Sequence, residues 1–398
     1  MNVLRSYKLK IKPNKTQRKK LNNYFYEAKC LYNYALSSAD VFHFDTKIKK
    51  VTKFDKNKNV VEVELSNLPA KLRQNVVSNM QDSIKTLSKL KKKGHNIGKL
   101  KYKSEVVCIN LDNQCFVVVN NKLKLAGMCK QLLKLRGVNQ LNGILKTRNA
   151  KLIKQANNYY IAICCDKEIE HINTNKEVGI DMGIKDNIIL STGQKLNCSI
   201  GESERTKKLQ KKISKSKKRS NNRRKLCLKL QEANTKTTNK KREFVNQLVH
   251  QLDTQYDLIA WQDELISKWK KSKMRGFGRK IQHSCLGMFK MKLQQRMQEE
   301  PNRFIQLDSK YATTQLCPQC GSLNKHTLDK RTYQCECGYT CDRDIHSAKN
   351  MLVFASKFFD VQLPSERRDV KPAEKKSSTT KMLFGCKSVF GEAGNTLL

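Results

Sequence analysis

Hydrophobic and polar positions repeat along this chain with two different periods, and each period predicts a different element. Residues 3–11 (VLRSYKLKI) alternate one by one, as a strand with one buried face does. Pro13-Asn14-Lys15-Thr16 then break the pattern. Behind the break Leu21, Phe25, Ala28, Tyr32 and Leu36 recur at three- and four-residue steps, so a helix burying one apolar stripe is expected. A second helix is expected from about Leu68 to Leu90, through Leu72, Val76, Met80, Ile84 and Leu87. Residues 44–65 between them are lysine-rich and end in the alternating Val61-Glu62-Val63-Glu64-Leu65. A Gly- and Lys-bearing stretch over 91–104 closes the helical part. Short β-type runs follow at Cys115–Asn120, Lys122–Leu125, Lys151–Gln155 and Tyr159–Cys165, separated by turn residues, which predicts a small antiparallel sheet or barrel. The strand at 3–11 could join that sheet, making the helices an insertion.

The second half reads differently. Val178-Gly179-Ile180-Asp181-Met182-Gly183 is an apolar strand interrupted by one acid, and Ile188–Gly193 reads as strand then turn. A polar helical region spans 202–252, and its start is the densest basic run of the chain (KKLQKKISKSKKRSNNRRK). Leu209 and Ile213 sit four apart in it, giving one packing face and one charged face. Tyr256–Glu264 is again strand-like. A helix over 278–297 would bury Ile281, Cys285, Met288, Met291 and Leu293, and a last helix covers 344–359. Beyond Leu363 the chain turns polar and reads as a mobile tail.

Charge narrows the function. The 398 residues carry 80 Lys+Arg against 35 Asp+Glu, a formal +45. Uncompensated charge of that size repels itself in a compact state, so a polyanion partner is expected rather than a small metabolite. No apolar run of about 18 residues is present, so no membrane span is expected. The first residues lack an apolar core segment, so no secretory signal is expected. Fifteen cysteines in a reducing cytosol then point to metal or redox chemistry, not to disulfides.

Four of them are grouped. Cys317-Pro318-Gln319-Cys320-Gly321 is a CxxCG knuckle, and Cys335-Glu336-Cys337-Gly338 is a second pair closed to CxC. Two such pairs across a hairpin-length segment can place four thiolates around one structural Zn²⁺. Cys341 lies near enough to compete as fourth ligand. Three acids also stand out: Asp181 inside a strand, Glu264 at the end of another, and Asp344 opening a helix. A carboxylate in a buried strand is costly unless it meets a cation, and Mg²⁺ takes hard oxygen ligands. Asp344 and Asp342 could each instead cap the helix.

These motifs carry a resemblance. VGIDMGI with LSTG, an acidic strand end, TTQLCPQCG and CGYTCDRDIHSAKNML, together with the start (YKLKIKPNKTQRKKLNNYFYEAKCLYNYAL) and the end (LPSERRDVKPAE, GEAGNTLL), resemble the TnpB family of transposon-encoded RNA-guided nucleases. The resemblance spans nearly the whole chain. It implies an α/β multidomain protein. A RuvC-like nuclease of RNase H fold would carry an inserted zinc ribbon. An N-terminal β-barrel wedge domain would be split by a helical recognition domain. The implied boundaries are 1–12 and 105–172 for the wedge, 13–104 for the recognition domain, 173–312 and 341–362 for the nuclease, 313–340 for the ribbon and 363–398 for the tail.

The resemblance further implies an endonuclease that cuts double-stranded DNA beside a short transposon-adjacent motif. Its catalytic triad would be Asp181, Glu264 and Asp344, holding two Mg²⁺ ions or Mn²⁺ in their place, and one Zn²⁺ would sit on Cys317, Cys320, Cys335 and Cys337. Its partners would be a guide RNA made from the transposon end and the target duplex, bound by a monomer in a prokaryotic cytosol, at the nucleoid when on DNA. Lys207, Lys208, Lys211, Lys212, Lys218, Arg219, Arg223, Arg224 and Arg331 are the expected nucleic-acid contacts. A miniature CRISPR effector with a repeat-derived guide, or a non-cleaving RNA-guided repressor, are the alternatives. Three departures from the family pattern stand out. The acidic strand reads Gln262-Asp263-Glu264-Leu265, which leaves Asp263 as an alternative ligand. His346 stands where the family has Asn, and the second cysteine pair is CxC.

Overall fold

The computed structural model describes residues 2–55, 57–128, 132–169, 173–269, 276–325, 327 and 331–359. The expected tail, 363–398, with the C-terminal part of the resemblance, lies outside them. The chain divides into two compact units, one of residues 1–173 and 200–243, the other of residues 174–199 and 244–398.

The first unit opens with β1 (Asn2–Lys12), α1 (Lys15–Ser37), the hairpin β2 (Lys50–Phe54) and β3 (Val60–Glu64), and α2 (Ala70–Lys92). Helix α1 starts where Asn14 and Gln17 exchange bonds. The Asn14 side chain accepts from the Gln17 amide at 2.8 Å, and the Asn14 amide donates to Gln17 Oε1 at 3.0 Å. That reciprocal cap satisfies two amides a bare helix start leaves open. Strands β4 (Cys108–Leu111), β5 (Phe116–Val119), β6 (Lys122–Leu125), β7 (Leu133–Arg136), β8 (Ile144–Gln155) and β9 (Asn158–Glu168) follow.

Among the described residues these form a seven-stranded sheet in the order β4-β8-β9-β1-β7-β6-β5. Strand β1 runs antiparallel to β9 from Asn2↔Glu168 to Ile11↔Tyr159, and its far end pairs with β7. Leu9 and Ile11 from this strand join Leu21, Tyr24 and Phe25 of α1 and Leu72 and Val77 of α2 in one core. Strands β4 and β7 are not among the runs expected from the sequence. Strand β8 starts seven residues before the expected Lys151. Its residues Leu145–Asn149 are exposed, so their polarity masks the strand.

The second unit begins with β10 (Glu177–Met182), β11 (Ile188–Leu190) and β12 (Lys195–Leu196). The chain then forms α3 (Glu204–Lys215) and the long α4 (Asn221–Gln255). It returns through β13 (Leu258–Gln262), α5 (Ile266–Trp269), α6 (Phe277–His283), α7 (Leu286–Glu299) and β14 (Phe304–Leu307). The hairpin β15 (Thr332–Gln334) and β16 (Thr340–Asp342) leads into α8 (Arg343–Phe359). The sheet order is β12-β11-β10-β13-β14. Strands β10, β11 and β12 are antiparallel neighbours, whereas β10, β13 and β14 run parallel.

Helix α8 lies against this sheet, burying Met351, Leu352 and Ala355 on Leu258, Ala260, Ile305 and Leu307. The approach is closest at Gly179 of β10, where a Cβ would stand 1.8 Å from the Ala348 carbonyl oxygen. Two expectations fail here. The single helix over 278–297 is broken at Ser284, and Met291 points to solvent, 48% exposed. The basic helix over 207–225 is also broken. Helix α3 stops at Lys215, and Arg219 takes a left-handed φ of 64° before α4 starts.

Candidate metal centres

Asp181 is held by the centre of the second sheet. Its strand pairs with β11 on one side, Asp181 opposite Ile189, and with β13 on the other. Glu264 follows β13 by two residues, at the end where parallel strands of α/β sheets commonly place ligand groups. Asp344 lies in the first turn of α8. The three interact. Burial raises Asp181 from the ordinary 3.8 up to about 7, and the Asp344 and Glu264 carboxylates are the next contributors. Burial also raises Glu264, partly offset by Lys290.

The neighbouring acids have other occupations. Asp342, not Asp344, caps α8: its Oδ1 accepts from the amides of Asp344 at 2.9 Å and Ile345 at 3.2 Å, and its other oxygen meets Lys195 at 2.9 Å. Asp263 is paired with Lys290, whose ammonium also donates to the Glu264 carbonyl at 2.8 Å. Asp344 is approached by Arg331 at 3.8 Å and by Arg343 at 3.6 Å.

The titration of Asp181 has a sign that can be checked. Below about pH 4 both folded and unfolded chains are protonated there. Between about 4 and 7 the unfolded chain has lost the proton that the folded chain keeps, so stability falls as pH rises through that window. Without divalent metal, Asp181→Asn should therefore melt above the wild type at pH 7.5, above it by less at pH 5, and level with it below about pH 4. Mg²⁺ should raise the wild-type melting temperature and leave the variant unmoved. Calorimetry with and without chelator checks this.

The second centre is thiolate. The sulfurs of Cys317, Cys320, Cys335 and Cys337 lie within 4.8 Å of one another, the one such group of three or more metal-ligating side chains among the described residues. Cys317 and Cys337 are 3.6 Å apart, and Cys320 and Cys335 are 3.5 Å apart. Zn–S bonds of about 2.3 Å in a tetrahedron put sulfurs about 3.8 Å apart, so the set fits zinc. Cys341 is not in the group; it sits in β16 opposite Tyr333.

Gly321 and Gly338 follow the two pairs with φ of 74° and 90°, the left-handed turn that glycine permits. Polar groups meet two of the sulfurs: Ser322 Oγ lies 3.1 Å from Cys320 Sγ and 3.2 Å from Cys335 Sγ, and Asn324 Nδ2 donates to Cys335 Sγ at 3.2 Å. The Ser322 hydroxyl and the Cys337 amide hold Cys335 down at about 6, whereas burial pushes Cys317 up to about 12. A bound metal would keep all four deprotonated.

Comparison with known proteins places these features in a family. Residues 287–351, which include the ribbon and the start of α8, match a model described as the Cas12f1-like TNB domain. Residues 161–272 match one described as "Probable transposase", and residues 1–40 one described as a helix-turn-helix domain. This chain is a TnpB-like protein.

Two curated relatives agree. A Streptomyces pristinaespiralis protein, provisionally named an RNA-guided DNA endonuclease, is 26% identical over 203 residues. That match takes in half of the TnpB-like chain and half of the relative. A protein of Paramecium bursaria Chlorella virus 1, provisionally named a transposase, is 35% identical over 65 residues, 16% of this chain and 15% of its own. A cryo-EM structure titled as a Cas12f1–sgRNA–target DNA complex aligns with 88% of this chain and 98% of its own, at 13% identity and a TM-score of 0.41. The TnpB-like chain forms a strand and one helix over residues 2–37, not a pair of helices, in the region matched as helix-turn-helix. No described helix is long and apolar enough to cross a membrane.

The expected basic contacts of the TnpB-like chain divide in two. Lys207, Lys208, Lys211, Lys212, Lys218, Arg219, Arg224 and Arg331 are exposed, Lys207 with an ion pair to Glu204 at 2.8 Å. Arg223 is turned inward. Its guanidinium donates to the carbonyls of Ile213 and Ser216, bracing the α3–α4 turn. Lys290 and Asn350 were missed by sequence reading. Nothing local marks Lys290, because its partner Asp263 lies 27 residues away. Exposed aromatics beside lysines were missed too: Tyr26 with Lys29 and Lys53, and Phe42 with Lys85.

Proposed function

We propose that this chain is an RNA-guided, metal-dependent DNA endonuclease of RuvC-like RNase H architecture. The observation that carries the proposal is Asp181, a carboxylate raised by burial on a central strand and felt by two further acids on separate elements. A buried carboxylate that senses two further negative charges is expensive to ionise unless a cation neutralises it. The sheet order supports the architecture, with three antiparallel strands followed by two parallel ones and a helix laid across the first. The name of the Streptomyces relative supports the substrate class.

On this reading Asp181, Glu264 and Asp344 hold two Mg²⁺ ions. Bound there, the ions supply a polarised water and charge neutralisation for phosphodiester hydrolysis. Asp342 fixes the start of α8 and so the position of Asp344. Lys290 occupies Asp263 and leaves Glu264 as the ligand. The four cysteines hold zinc as a structural element, and Arg331 stands between ribbon and carboxylates, free to meet a scissile phosphate once metal neutralises Asp344. The seven-stranded sheet takes the wedge role, residues 13–104 the recognition role. The exposed lysines of α3 neutralise guide-RNA phosphates, with affinity falling in salt by about 0.9 log units per contact per log unit on duplex. Base pairing with the guide would set sequence choice.

The test is direct. The full chain, loaded with RNA from its flanking transposon end, should linearise a plasmid bearing the matching target in Mg²⁺ and leave it intact in EDTA. Binding without cleavage in Mg²⁺ would favour the non-cleaving reading.

A further inference from the structure

Two side chains that the proposed chemistry does not use join the ribbon to the helix carrying Asp344. Tyr333 of β15 and His346 of α8 are both fully buried, and their rings stack at 3.7 Å and 15°. His346 Nε2 lies 3.1 Å from Asn350 Nδ2. Asn350 in turn donates to the carbonyls of Thr313 and Leu316, both at 2.7 Å. Leu316 adjoins the zinc-ligand candidate Cys317. On the other arm, Tyr333 lies two residues before Cys335, and Asn324 bridges them, 3.4 Å from Tyr333 Oη and 3.2 Å from Cys335 Sγ. Strand β16 then runs into α8 without a break, and Arg343 donates its amide to the Arg331 carbonyl at 2.8 Å.

A two-stranded hairpin with three-residue strands has no independent stability. Its large buried side chain, Tyr333, packs on α8, so metal and helix are its two supports. The dependence is mutual. If the ribbon opens, Tyr333 leaves His346, and β16 no longer holds Asp342 over the first turn of α8, the turn that carries Asp344.

We propose that His346 is a positioning residue that locks the metal-bearing ribbon to α8, so that occupancy of the four-cysteine site sets the position of Asp344 and Arg331. The part concerning Asp344 rests on the nuclease reading above; the coupling of ribbon to helix does not.

The experiment uses the full, zinc-loaded chain and its His346→Ala and His346→Phe variants. Amide hydrogen exchange is followed over 331–350 with and without a zinc chelator, and zinc release is followed with a metallochromic dye. Stripping zinc from the wild type should speed exchange in the first turn of α8. His346→Ala should show that faster exchange with zinc still present, and release zinc about tenfold faster. His346→Phe, which keeps a ring for Tyr333, should restore most of both.

Unchanged α8 exchange on zinc removal, or wild-type zinc release from His346→Ala, overturns the proposal. Where His346→Ala also loosens 177–182 and 258–262, His346→Phe decides: fast zinc loss from it with a protected sheet rejects the stack as the link. In cleavage, His346→Ala should need severalfold more Mg²⁺ for half-maximal rate at unchanged guide-RNA affinity. Absence of cleavage by the zinc-loaded wild type would defeat the nuclease reading, while exchange and zinc release still decide the coupling.

Discussion

Asp181→Ala is expected to abolish cutting of a matched target, by roughly a thousandfold or more, while guide RNA binds as before. Deleting it removes the one acid of the three that lies within the sheet. A thousandfold corresponds to about 4 kcal/mol of lost barrier reduction, a modest share for groups that hold charge-neutralising ions. The variant should fold, because the removed group is one whose burial as an anion is unfavourable. Single-turnover cleavage with guide-RNA titration measures both quantities. Retained cutting would remove Asp181 from the active site and with it the reading of the cluster.

The second large effect comes from a residue without chemistry. Gly179→Ala would put a Cβ 1.8 Å from the Ala348 carbonyl oxygen and 2.9 Å from its carbon. Both obstacles are backbone, so α8 must retreat by more than an ångström. Overpacking of this kind costs about 3 kcal/mol or more, a fall of roughly 6–12 °C in melting temperature for a domain of this size. A displacement of that order at Asp344 should also cost about a hundredfold in cleavage. The control is Ala348→Gly in the same chain. It removes a methyl but not the carbonyl, so it should not rescue; rescue would place the clash elsewhere.

The acids and cysteines were readable in the sequence because each breaks a local rule. Asp181 interrupts an apolar run, and the cysteines come in pairs followed by glycine. What could not be read depends on packing between distant segments. Whether Asp342 or Asp344 caps α8 is decided by the path of β16 into the helix. The engagement of Asp263 needs Lys290, which a broken helix brings round. That the Arg223 guanidinium also closes the turn between α3 and α4 is decided by the fold of that turn. Met291 fits a helical stripe drawn straight through Ser284, where the helix in fact stops. The strand periodicity of β1 was plain, yet its neighbours β7 and β9 could not be inferred from alternation, which carries no information on pairing order.

That pairing order bears on how the protein is made. Strand β1 leaves the ribosome before either of its partners, which span Leu133–Arg136 and Asn158–Glu168. At about 5–20 residues per second, roughly 8–30 s pass before both of its edges are satisfied. During that interval the nascent chain carries an open edge able to pair with another chain. Shelter comes early from α1, whose Leu21, Tyr24 and Phe25 share the core with Leu9 and Ile11. Translation speed between β1 and β9 is therefore a lever on soluble yield, independent of any residue at the metal centres.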